Sequence, residues 1–123
     1  QVVITNISCE NRYRAIAIRA SDQAGIHHVY INGVVFKANE GRHDAILIGG
    51  RGYGEESLPG KINSIHAMNI IGNGQSLVRI QAQVADCHFM NGMYSGENAT
   101  ATLYEIDSLT TSNVTQNNWI KVK

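Results

Sequence analysis

The sequence predicts an all-β chain folded as a parallel β-helix, and three observations lead there. Short runs of Ile, Val and Leu end repeatedly at Gly or Asn. One short strand type returns four times, and a second, rich in Asn, lies between its copies. Good helix formers never cluster over a full amphipathic window, whereas β-branched runs between turn residues are the usual signature of strands.

The first strand type comprises Ala15-Ile16-Ala17-Ile18, Ala45-Ile46-Leu47-Ile48, Leu77-Val78-Arg79-Ile80 and Leu103-Tyr104-Glu105-Ile106. Alternation along a strand sends every second side chain to one face. Positions 16 and 18, 46 and 48, 78 and 80, 104 and 106 are therefore expected to stack as an inward column. Arg79 and Glu105 are expected to point outward.

The second type comprises VVITNISCEN, HVYINGVVFKAN, SIHAMNIIGN, VADCHFMN and LTTSNVTQNN. The first four close on Asn11, Asn39, Asn73 and Asn91, and the last carries its corner at Asn117 of a terminal Asn pair. Asn tolerates the left-handed backbone of a sharp corner, and stacked amides can bond from layer to layer. These asparagines are read as structural corners.

Two strand types recurring in cycles of unequal length describe turns that bury their inward residues only by stacking on the next turn. Four to five coils, spaced about 4.8 Å apart, give a stack of roughly 20–25 Å. The whole chain, 1–123, reads as one domain, with residues 108–123 as a C-terminal cap: that tail is polar and carries the sole tryptophan, Trp119. QVVITNI opens directly into a strand, and the chain is expected to be part of a longer one. An antiparallel β-sandwich is the alternative architecture.

Composition excludes several partners. Ten basic residues balance ten acidic ones, which gives no electrostatic footprint for nucleic acid. No apolar run approaches the roughly 20 residues of a membrane-spanning helix. Cys9 and Cys87 have neither zinc-like spacing nor the number a disulfide framework needs, and read as buried free thiols. Three Asn-x-Ser/Thr sequons, at Asn6, Asn98 and Asn113, are what an Asn- and Thr-rich chain yields by chance.

Insertions collect on the binding face of stacked repeats. GGRGYGEESLPG, between Ile48 and Lys61, carries Arg51, Tyr53, Glu55, Glu56 and the single proline. A second insertion, GMYSGENATAT (92–102), offers Tyr94 and Glu97. Glycoside hydrolysis generally needs two carboxyl groups flanking the scissile bond. The candidates for that pair are Asp44, at the start of its strand, with Glu55 or Glu56 on the adjacent loop. Arg42, His43, Arg51, Tyr53 and Tyr94 are the candidate substrate-binding residues. Asp44 also has a structural alternative, accepting corner amides before its strand begins. His27 and His28, on opposite faces of one strand, do not converge on a metal. No metal and no cofactor is expected.

GIHHVYINGVVFKAN followed by HDAILIGG, then INSIHAMNIIGNG followed by LVRIQ, resembles successive coils of the pectate-lyase-like right-handed β-helix superfamily. That superfamily includes pectin-degrading enzymes and bacteriophage tailspikes. The resemblance covers nearly the whole chain. It implies a right-handed coil, polysaccharide as substrate or ligand, no nucleotide cofactor and, as in phage members, a homotrimer. The polygalacturonase branch carries a double Asp before an Ala-Ile-x-Ile-like strand, a Gly-His-Gly and an Arg-x-Lys. Here RHDAILIGG keeps one Asp, Asp44, the next coil has His66 alone, and the tail reads IKVK, so that active site does not carry over.

The expectation is a tailspike- or appendage-type segment at the virion surface or outside the cell. It binds host surface polysaccharide and forms part of a depolymerase groove. The alternatives are a fragment of a secreted glycoside hydrolase or polysaccharide lyase, and a structural spacer within a fibre.

Overall fold

The computed structural model describes residues 1–20, 25–38, 44–49, 60–81, 83–97, 104–106 and 111–122, with the backbone alone at 11, 12 and 104–106. Among the described residues nine strands follow one another and no helix occurs. They are β1 (Val2–Arg12), β2 (Ile16–Ile18), β3 (Ile26–Ala38), β4 (Asp44–Ile48), β5 (Ile62–Gly72), β6 (Ser76–Ile80), β7 (Val84–Tyr94), β8 (Tyr104–Ile106) and β9 (Ser112–Lys121).

The chain alternates between two sheets, ordered β1-β3-β5-β7-β9 and β2-β4-β6-β8. All seven described pairings are parallel, which overturns the antiparallel sandwich. In the smaller sheet the register aligns Ile16, Ile46, Val78 and Tyr104, and then Ile18, Ile48, Ile80 and Ile106, as the fourfold repeat predicts. Ile46, Ile48, Val78 and Ile80 are fully buried, each contributing about 1.5–3 kcal/mol by leaving water. They join Phe36, Ile65, Ile70 and Phe89 of the larger sheet in one core. Leu47, on the other face of its strand, is buried as well.

The long strands depart from simple alternation. In β5 the buried residues are Ile62, Ile65, Ala67, Ile70 and Gly72, a spacing of three, two, three and two. Two left-handed residues account for it: Ser64 and Asn69 have φ of 57° and 59°. Each adds one outward-facing residue and turns the strand while keeping its inward phase. The first such column is His28, Ser64, Asp86 and Asn113; the second is Asn6, Gly33, Asn69, Asn91 and Asn118, all with positive φ. Gly33, at φ 89°, holds the one place in the second column where asparagine is absent.

The corners are therefore not those the sequence predicts. Of the expected set, only Asn91 among the described residues occupies a left-handed site. Asn73 instead accepts a hydrogen bond from the Ala38 amide on Oδ1 (2.6 Å). Asn117 sits in β9 opposite Met90, one residue short of the corner. Asn11 lies in β1, and Asn39 falls outside the described residues. Residues 92–94, read as the start of an insertion, complete β7, and the tail read as a cap contains β9, laid on β7 in the common register.

Candidate functional site

Asp44 opens β4 opposite Ser76 of β6. It is 3% exposed, and Ser76 Oγ donates to its Oδ1 at 2.5 Å. The carboxyl group, expected as a catalytic acid, joins two strands here. Its described donor is a neighbouring hydroxyl, not the corner amides of the structural alternative.

Tyr94, expected as a substrate-binding residue, lies at the end of β7. It is fully buried, and its hydroxyl donates to the Gly74 carbonyl. Its ring belongs to the core, with no face left for a sugar. Arg42, His43, Arg51, Tyr53, Glu55 and Glu56 lie outside the described residues, as does the body of the glycine-rich loop. Other carboxylates hold partners of their own. Asp86 Oδ1 accepts from Asn113 Nδ2 (2.6 Å), and Glu10 pairs with Lys37 (3.5 Å). Burial pushes the Cys87 thiol up to about 12, which removes it as a nucleophile near neutral pH.

The larger sheet gathers on its outer surface groups that the sequence keeps apart. The first is an amide ladder: Asn69 Nδ2 donates to Asn32 Oδ1 (2.9 Å), Asn91 Nδ2 to Asn69 Oδ1 (3.2 Å) and Asn118 Nδ2 to Asn91 Oδ1 (2.7 Å). The second is a ring column, Tyr30, His66 and His88, placed side by side by the register. Tyr30 and His66 stack at 5.4 Å with 13° between planes, and His66 and His88 follow at 5.3 Å and 38°. Because these faces cover one another, the column offers ring edges outward. The third is an exposed apolar column of Val35, Ile71, Met93 and Ile120. Beside it runs a groove of about 370 Å³ whose lining includes Val35 and Ile71 with Glu10, Lys37, Asn73 and Ser95.

Connection length hides these columns. Tyr30, His66, His88 and Thr115 are unevenly spaced along the chain, so no fixed period reveals them. The usable signal was the inward spacing of three and two, which sets the register once the left-handed corners are recognised. His27 and His28 show the same effect. Alternation places them on opposite faces, but the left-handed turn at His28 (φ 60°) brings the rings edge to face at 4.9 Å.

The chain matches no family model, no curated protein and no solved structure. Among the described residues no three metal-ligating side chains gather, and no helix is long and apolar enough to cross a membrane.

Proposed function

We propose that the chain is a segment of a right-handed parallel β-helix, of the tailspike or appendage type, that binds host surface polysaccharide at the virion surface. The observation that carries this reading is the in-register outer surface of the larger sheet. Amides and ring edges recur there at the strand spacing, about 4.8 Å. A long polymer of hydroxyl-bearing rings is a ligand that a long row of hydrogen-bonding groups suits. Alternation between two parallel sheets around one core supports the coil itself.

Binding is favoured over cleavage, because the one described residue of the expected carboxyl pair, Asp44, is buried and engaged. Copies of the chain, three in the resemblance, meet along the Val35, Ile71, Met93 and Ile120 column. Exposed apolar residues in a continuous row mark contact surfaces more often than open ones. The test combines binding to a panel of capsular and pectic polysaccharides with reducing-end assays on the full-length protein. Retention of polysaccharide without new reducing ends supports the reading. Cleavage that disappears in Glu55→Gln or Glu56→Gln replaces it with a hydrolase, and neither binding nor cleavage across the panel sinks it. Light scattering on Ile71→Glu tests assembly: the wild type is an oligomer and the variant a monomer.

A further inference from the structure

We infer that His66 and His88 form a two-imidazole site for a divalent transition ion on the outer face of the larger sheet. The inference is independent of the polysaccharide reading. The residues sit at matched positions of β5 and β7, with ring centroids 5.3 Å apart. Metal–nitrogen bonds of about 2.1 Å allow two imidazoles in adjacent layers to share one ion at their outward ring edges. Convergence of the two lone pairs requires the 38° tilt between the rings to open, a rotation about the broad χ2 torsion of histidine.

Two further contacts prepare the pair. His88 Nδ1 lies 2.6 Å from Thr115 Oγ1, on the next strand. With Nδ1–H donating to that hydroxyl, Nε2 is the nitrogen that carries the free lone pair, and such a partner on the second nitrogen commonly orients metal-binding histidines. Tyr30 stacks on the opposite face of His66 and keeps that side chain from swinging away from His88. Both imidazoles are half-buried, so little side-chain freedom is lost on ligation.

Two protein ligands leave the remaining positions to water. Such a site prefers imidazole-seeking ions, in the order copper(II) above nickel(II) and zinc(II), and ignores calcium and magnesium, which demand several oxygens. An ion held there ties β5 to β7 across two layers.

The experiment is calorimetric titration of the full-length protein with copper(II), nickel(II), zinc(II) and calcium chlorides, with electron paramagnetic resonance on the copper complex. The wild type is expected to bind one copper or nickel ion at micromolar concentration, with two-nitrogen ligation in the copper spectrum and no response to calcium. His66→Phe and His88→Phe, which keep a stacking ring, are each expected to weaken binding at least tenfold. Thr115→Val weakens it about tenfold, the lower range for an orienting partner, while a His27→Phe/His28→Phe double variant leaves it unchanged. Circular dichroism establishes that every variant is folded. Absence of binding at 100 µM ion overturns the site, as does wild-type affinity in both single Phe variants or loss confined to the His27/His28 variant.

Discussion

Asn91 tests the corner architecture most directly. Its backbone is left-handed (φ 58°), and its amide donates to Asn69 and accepts from Asn118. Asn91→Ala removes both bonds, which are exposed and so worth about 0.5 kcal/mol each, the low end for a hydrogen bond. It also leaves in the left-handed region a residue without the short polar side chain by which Asn tolerates it, at a cost of up to roughly 1–2 kcal/mol, for a sum of about 2–3 kcal/mol. Asn91→Gly loses the same bonds but escapes that cost, adding only about 0.5–1 kcal/mol of unfolded-chain entropy. The expected gap between the variants is about 1 kcal/mol, or roughly 3–5 °C in Tm for a domain of this size. Thermal unfolding followed by circular dichroism reads it. A second comparison uses the tail. Asn118 is left-handed, with φ 56°, so Asn118→Ala is expected to destabilise. Asn117→Ala beside it is expected to stay within about 0.5 kcal/mol of the wild type. An alanine at 91 as stable as glycine, or a larger loss at 117 than at 118, refutes the stacked left-handed corners.

Three further outcomes follow from packing and burial. A Cβ on Gly92 would lie 2.6 Å from Trp119 Cδ2. Gly92→Ala therefore displaces the indole and is expected to cost about 1–3 kcal/mol in urea unfolding, with a change in Trp119 fluorescence. Ser76→Ala withdraws a hydroxyl donor from the buried Asp44 carboxyl group. It is expected to lower stability by about 1.5–3 kcal/mol, measured as a shift in denaturation midpoint. The Cys87 thiol titrates near 9.0 when unfolded and near 12 when folded, because burial disfavours the thiolate. The native state therefore holds the proton more tightly. Its contribution to stability is complete below pH 9 and falls as pH rises toward 12, a decline that Cys87→Ala removes. At mildly alkaline pH a disulfide exchange reagent is expected to spare Cys87 until the chain unfolds.

The legible part of the fold was the part set by apolar alternation. Ile46, Ile48, Val78 and Ile80 announce a strand and its inward face, and the register places them as that pattern requires. The long strands were legible as strands but not as bent ones. Ser64 and Asp86 carry left-handed turns that residue type alone does not mark, and Asn117 and Asn118 are indistinguishable until Trp119 is seated over Gly92. Tyr94 followed the same course. A tyrosine beside glycines reads as a surface contact, yet the spacing of Phe89, Gly92 and Tyr94 puts it in phase with the core.

That phase also explains why candidate chemistry shifted from carboxylates to the outer columns. In a stack of parallel strands the inward positions are filled by packing. An acid that falls among them, as Asp44 does, must be satisfied by a neighbouring layer. Outward positions carry no such constraint, but the register repeats them, so a side chain placed there meets its counterparts above and below. Tyr30, His66, His88 and Thr115 become one site only through that repetition. Connections of unequal length change which residues are close in sequence without changing which are stacked. Function on this scaffold is consequently written across strands, and a motif confined to one strand, such as His-Asp before AILI, is weak evidence for an active site.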